Sequence, residues 1–411
     1  MKKVMSLLVA VFFMTGMVVA QDNNATTNQE GNGNQAEQIQ TGENNDALIH
    51  QGDYKAEGGN MNIQNDGIAK QEQIGDENEA VIKQRSASWN SGNESDQYQD
   101  GDMNTAKVTF FNANNISDQD QIGDNNWSYG QASGQFNDMT TYQEGDDNWA
   151  KFRLLGSESS EATIEQIGDD NEGEVYSTGA FNEATIYQKG MDHDAYQMQN
   201  GEGNRAHSET GKWFTTEETE TEQYQTGDNN VSRFEMQKGY GNYAKSDQDG
   251  DNNNVFYRVK GDENHAEFTQ NSNSPGNVAS ARTFGDDNVI DVDQAGYGNM
   301  VGTAWGQGIY QDGDRIESYI SQDGYDNWAT VEQTGNDNAL DYDVVGHDNE
   351  FDAVQEDEGA STLSVNGNKA VIDQTWRDAD DNYGNDFDLT QKTNGGKGNR
   401  TYMGVKGDDN N

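Results

Sequence analysis

Residues 78–84 read Asn-Glu-Ala-Val-Ile-Lys-Gln. Asn78, Ala80, Ile82 and Gln84 fall on one face of an extended chain, and Glu79, Val81 and Lys83 on the other. The same inward set returns as Asn182, Ala184, Ile186, Gln188, as Asn327, Ala329, Val331, Gln333 and as Asn368, Ala370, Ile372, Gln374. Alternation at period two over so short a run predicts a strand with one buried face. Between the runs stand Gly-Asp-x-Asn segments. Glycine accepts positive φ, and Asp and Asn tolerate the left-handed region and bond their own backbone, so these are turns. Each unit is a strand followed by a turn.

The units are evenly spaced. Turn positions fall at Gly101, Asn112, Gly123, Gly134, Gly145, Gly156, Gly168, Gly179, Gly190 and Gly201, in steps of about eleven residues. Q-x-G-x-x-N-x-A-x-x-x-Q is matched in full from Gln29, Gln40, Gln73, Gln237 and Gln322. A five- or six-residue strand cannot bury a face alone, and no helix intervenes. The economical solution is an all-β solenoid with two short strands per coil of about 22 residues, coils stacked in register at roughly 4.8 Å. This predicts on the order of seventeen coils and a rod about 80 Å long. Slips near 213–221, around Pro275, between 300 and 310 and from 360 onward read as insertions at turns or bulges. The expected domains are a leader at 1–20, a flexible segment at 21–33, solenoid repeats at 34–355, and degenerate repeats with a cap or tail at 356–411.

Composition taken alone opposes a fold. The 411 residues carry 74 acidic against 25 basic side chains, a formal charge of −49, and only 31% are hydrophobic. Such chains ordinarily stay disordered because they bury too little apolar surface. Lys2 and Lys3 ahead of the apolar run 4–19, closed by Ala20, read as a signal peptide, so the chain is expected to be secreted, extracellular or at the cell surface. No later segment is apolar enough to insert in a membrane. There is no Cys, hence no disulfide. Nucleic acid is a poor partner for this charge, since phosphate binding needs clustered Lys and Arg.

Stabilisation has to come from the repeat itself. A buried amide without a partner costs several kcal/mol. In register, each side-chain carbonyl can accept from the identical NH₂ one coil away, and the column satisfies itself. Gln51, Gln84, Gln166, Gln188, Gln248 and Gln333 are candidates for such columns.

Q-x-G-x-x-N-x-A-x3-Q resembles the curlin repeat, the unit of secreted bacterial amyloid subunits that build curli fibres. The resemblance covers most of residues 29–355. It implies a fimbrial, matrix-forming subunit that self-associates through amide ladders and open strand edges, exported by a dedicated outer-membrane system and seeded by a nucleator. Carried over position by position, the ladder residues are Gln40, Gln73, Gln237 and Gln322 with Asn45, Asn78, Asn242 and Asn327. The chain departs from the pattern in its length, acidity and interruptions. A monomeric acidic solenoid that binds calcium, glycan or a surface is the alternative, and a disordered matrix protein a third.

Asp76, Asp124, Asp146, Asp169, Asp251 and Asp262 occupy turn positions and would line up in columns. Unit charges 4.8 Å apart repel by roughly 0.9 kcal/mol even in water. Either a hard cation such as Ca²⁺ bridges them, the one cofactor considered, or Asp serves the turn conformation and salt screens the column. SDQDGDNNN at 246–254 resembles an EF-hand loop only superficially, with Gly at the fourth place and Arg258 at the twelfth. Trp127, Trp149, Trp328 and Tyr243 come directly after turn Asn residues and should face outward. The five His are scattered without a ligand or nucleophile motif, so an enzyme is not expected. His193 stands where a turn Asn is expected.

Overall fold

The computed structural model describes residues 22–52, 66–85, 92–211, 216–272, 274–302, 308–357, 369–375, 386–393 and 400–406. The predicted leader lies outside them. Every regular element among the described residues is a strand. The strands form two parallel ladders, and each coil contributes one strand to either ladder in turn. The first sheet has 16 strands, from Asn24–Gln29 to Arg400–Lys406. The second runs from Gln35–Thr41 to Asp386–Thr393 and stays open, each of those end strands having a single neighbour. The fold is a β-solenoid. Among the described residues its first sheet has 16 strands, against the seventeen coils expected from length.

Register is strict. Ala47 pairs with Ala80, Ile49 with Ile82 and Gln51 with Gln84; Ala162 pairs with Ala184, Ile164 with Ile186 and Gln166 with Gln188. A one-residue slip would turn every inward side chain to solvent, so the alternation itself pins the pairing. The ladder starts earlier than the segment boundary at residue 34 suggested. Asn24–Gln29 pairs throughout with Asp46–Gln51, and Gln29 Nε2 donates to Gln51 Oε1 at 2.7 Å. The insertion at 303–307 falls inside a strand: Met300–Val301 and Ile309–Asp312 both pair with Val278–Phe284.

The interior is neither uniformly apolar nor uniformly amide. One apolar cluster runs from Ile49 to Ala195 and another from Phe234 to Leu389. Between them lie Gln197, Gln199, Ser208, Thr210, Thr221, Gln223 and Gln225, all buried. Ser208 and Thr221 hydroxyls meet at 2.7 Å, and Gln223 donates to Ser232 Oγ at 3.0 Å. Where phenyl and aliphatic groups give out, hydrogen bonds take over the filling.

Candidate assembly interface

Three kinds of column run along the rod, each made by one position of the repeat. The first is glutamine. In the second sheet Nε2 of each residue donates to Oε1 of the next from Gln40 through Gln73, Gln99, Gln121, Gln143 and Gln166 to Gln188, at 2.8–2.9 Å. In the first sheet Gln29, Gln51 and Gln84 form one run, and Gln199, Gln225, Gln248, Gln270, Gln294 and Gln322 another. Gln333 continues to Gln355 at 2.8 Å. The second NH of each amide goes to a main-chain carbonyl across the interior, as from Gln143 to Trp127 O at 3.1 Å. Within a continuous run the amide oxygen and both N–H groups are thereby bonded, which makes a buried amide column tolerable; the oxygen of Gln199, where a run begins, is the buried exception.

Gln237 does not join a ladder. The pairing passes from Met236↔Val259 directly to Lys238↔Lys260, so Gln237 sits on a bulge and Met236 takes the inward place. A β-bulge inserts one residue and re-aims the side chains after it. The twelve-letter motif is intact there, and the displacing signal is the preceding Val-Ser-Arg-Phe-Glu-Met, whose own alternation carries Phe234 and Met236 inward. Thr210, Met236, Val259 and Thr283 interrupt the column between Gln188 and Gln311.

The second column is asparagine, and it carries main-chain bonds beside amide-to-amide links of the expected kind, such as Asn264 Nδ2 to Asn242 Oδ1 at 3.0 Å and Asn349 Nδ2 to Asn327 Oδ1 at 2.8 Å. Asn Oδ1 chiefly accepts the main-chain N–H of the turn Asn in the next coil: Asn45 from Asn78 at 2.9 Å, Asn78 from Asn104 at 2.9 Å, and Asn299 from Asn327 at 3.2 Å. Asn Nδ2 donates to the glycine carbonyl of the next coil, as from Asn45 to Gly75 at 2.7 Å and from Asn242 to Gly261 at 2.8 Å. The short side chain reaches the main chain of the next turn as well as its counterpart, as where Asn327 Nδ2 donates to Asn299 Oδ1 at 3.0 Å, so it ties turn to turn. His193 fills the Asn role: its buried Nδ1 accepts the Thr219 main-chain N–H at 3.3 Å and lies 2.9 Å from Thr219 Oγ1.

The third column is the acidic turn. A carboxylate brings acceptors and no donor, and main-chain N–H groups fill that need: Glu43 N–H reaches Asp76 Oδ1 at 2.7 Å, Asp76 N–H reaches Asp102, Asp102 reaches Asp124, Asp124 reaches Asp146 and Asp146 reaches Asp169, at 2.7–2.9 Å. Asp262 and Asp286 continue the same corner, whereas Asp251 belongs to the opposite corner, where Asp228 N–H donates to it at 2.9 Å. Each carboxylate thus caps a main-chain donor of the preceding coil, a charge-assisted bond stronger than a neutral one. Among the described residues no three His, Cys, Asp or Glu side chains converge to hold a metal ion. Beneath these turns the glycines approach closely: Gly123 has φ +114°, and a Cβ there would collide with the Gly145 carbonyl oxygen.

Trp127, Trp149, Trp328 and Tyr243 stand on the outward positions of their strands, as parity required. Trp127 and Trp149 stack at 4.9 Å and 7°, with Lys151 Nζ 5.3 Å from the Trp149 ring centroid. Tyr243 stacks on His265 at 4.7 Å, and Trp328 pairs with Met300 on the second sheet. Stacked face to face along the rod, Trp127 and Trp149 spend their flat surfaces on one another.

Residues 158–196 and 313–341 match the family model of the curlin associated repeat. These two stretches are similar to the curlin repeat. The first holds Gln166 and Gln188 of the long second-sheet column, and the second holds Gln322, Asn327 and Gln333. No curated protein matches the chain. Both the repeat family and the solenoid are structural rather than enzymatic in kind. No helix among the described residues is long and apolar enough to cross a membrane.

Proposed function

We propose that the chain is a secreted fibre subunit of an extracellular or biofilm matrix, polymerised end to end through the open edges of its two sheets. The observation that carries this reading is polarity along the amide columns. Every Gln column donates toward higher residue numbers, so the Oε1 atoms of Gln29 and Gln40 are its terminal acceptors at one end of the rod. At the other end Gln391 stands in register with Gln355, and Gln374 with Val344. A donor end meeting an acceptor end makes a heterologous contact that does not close, which generates a filament. The strand edges Asn24–Gln29 and Arg400–Lys406 offer unpaired main-chain groups for the same junction. The ladder residues Gln40, Gln51, Gln73, Gln84, Gln166, Gln188, Gln248, Gln322 and Gln333 with Asn45, Asn78, Asn242 and Asn327 set the registry that a joining subunit copies. A curli-type nucleator and outer-membrane export system are the partners this reading requires.

The test is unaided assembly of the purified secreted chain, monitored by fibre diffraction and by thioflavin fluorescence. The reading expects a sharp reflection at 4.7–4.9 Å along the fibre axis, and slower growth for Ala25→Pro, which removes a main-chain donor from the terminal strand. Monomers that persist with full strand content across salt conditions would overturn it.

A further inference from the structure

The outer face of the second sheet is divided by charge. Its four consecutive strands Glu94–Asp100, Ile116–Ile122, Asp138–Glu144 and Glu161–Ile167 turn nine carboxylates and no basic group outward. Cations stand on the two flanking strands: Lys70 of the preceding one, paired with Asp96 at 3.4 Å, and Lys189 of the following one, in register with Ile167. After one intervening strand, Glu183–Met191, the next four are Arg205–Thr210, Val231–Lys238, Asn254–Lys260 and Val278–Phe284. These turn out Arg205, Arg233, Lys238, Arg258, Lys260 and Arg282 against only Glu209 and Glu235. Six of the chain's 25 basic residues therefore share one patch on a molecule of charge −49.

Both carboxylates in the patch are already engaged. Glu235 is buried between Arg233, at 2.5 Å, and Arg258; burial would raise its carboxyl, and the two guanidiniums outweigh that and hold it below the usual range. Glu209 is buried beside His207. Arg233, Lys238 and Lys260 remain exposed. The acidic half bears the opposite imbalance: burial and the neighbouring Asp118 and Asp96 push Asp120 up to about 6, and burial raises Asp138.

We infer that two copies of this chain pair laterally, second sheet to second sheet with rod axes antiparallel, so that the basic strands of each cover the acidic strands of the other. A two-fold axis along the strand Glu183–Met191 relates the halves, because four acidic strands precede it and four basic ones come after. That axis reverses the stacking order and keeps strand direction. Val231–Lys238 then covers Asp138–Glu144 of the second copy, Asn254–Lys260 covers Ile116–Ile122, and Arg205–Thr210 covers Glu161–Ile167. At matching positions along the strands Lys238 meets Glu144, Arg258 meets Asp120 and Arg205 meets Glu161. The contact is isologous and closes on itself, unlike the axial junction. Nine strands of about seven residues give a face on the order of 900 Å² per copy from strand spacing and rise, comparable to the ~800 Å² per partner of a stable interface. The pairing in filaments rests on the polymer reading above; pairing of the soluble chain does not.

Lys238→Glu and Glu144→Lys test it, since both side chains are exposed and the ion pairs of Glu235 run to Arg233 and Arg258. Sedimentation velocity of the soluble chain, at roughly 20 mM and 500 mM salt to set screening, should show dimers only at low salt. Either single variant should weaken the dimer at least tenfold, and the double variant, which restores opposite charges across the axis, should return to within about threefold of the parent. In filaments the singles should separate paired rods seen by electron microscopy while thioflavin growth is unchanged. A parent chain that stays monomeric at low salt, or a double variant as weak as the singles, overturns the inference. So does binding of heparin at the patch by a chain that never pairs, which would assign it to an anionic polymer instead. Loss of fibres with the dimer intact would strike only the axial reading.

Discussion

Replacing Gln143 by Leu tests the column logic at one link. Gln143 Oε1 accepts from Gln121 at 2.8 Å, and its Nε2 donates to Gln166 at 2.8 Å and to Trp127 O at 3.1 Å. Leucine fits the volume and ends both side-chain links. Gln121 Nε2 retains Thr105 O at 3.1 Å, so the donor side is partly rescued. Gln166 Oε1 is left buried without a donor, the condition already present at Gln197 and Gln199, whose Oε1 atoms are buried and unpartnered where Val175 and Ser177 precede them. An orphaned buried acceptor costs about 1–3 kcal/mol and a lost bond about 1, so the single change should cost about 2–4 kcal/mol. Adding Gln166→Leu moves the orphan to Gln188 without creating a second. The double variant should therefore cost nearly the same as the single, with a coupling of about 2–3 kcal/mol where independent sites would add. Native-state hydrogen exchange of the strands 138–144 and 161–167, in dilute chain before assembly, measures both values. Strict additivity would refute the ladder as the unit of stabilisation.

Gly123→Ala should open the neighbouring coils by more than about 3 kcal/mol, combining left-handed strain with main-chain collision, read as lost exchange protection confined to residues 94–154. Asp124→Asn should preserve the cap on Asp102 N–H, as Asn336 does for Asp314 at 3.0 Å, whereas Asp124→Ala should lose about 1–2 kcal/mol; equal loss in both variants would assign the carboxylate another role. Asp120 has a folded value of about 6 against an ordinary 3.8, so the fold binds the proton more tightly and gains stability as pH falls from 7 toward 4. Asp120→Asn should accordingly raise the melting temperature at pH 7, and the difference should vanish near pH 4; because the group is half-exposed, screening keeps the gain below about 1 kcal/mol. Trp149→Ala should remove the Trp127 stack and the Lys151 contact at a cost of about 1–2 kcal/mol, with Trp127 emission shifting to the red.

Much of this was readable because a repeat repeats its physics. Ala80, Ile82 and Gln84 alternate, and so does each stacked counterpart, which gives fold and register together. The partner of Gln84 was legible for the same reason. Gln237 was not, because strand phase is settled by the residues that precede the motif, and Phe234 with Met236 had already claimed the inward side. The main-chain share of the Asn bonding escaped the letters because it depends on reach: one methylene fewer than Gln brings the amide to the main chain of the turn. Asp76 and its successors could be read as a cation-bridged column or as turn formers screened by salt, and the main-chain N–H groups that reach one oxygen of each are invisible until the coils are stacked. The charge division of the second sheet was hidden because whole-chain charge averages over both halves, and the outward parity of Lys238 depends on the bulge before it.

The most direct test of the account is solid-state NMR on assembled chain with labelled glutamine side chains, reading magnetisation transfer from Gln121 Nε2 to the Gln143 amide, whose oxygen lies 2.8 Å away. Strong transfer between these amides, 22 residues apart in sequence, is the expected result, and its loss in Gln143→Leu would assign it. Glutamine side chains that exchange with water and show only transfer within their own residue or to sequence neighbours would contradict it.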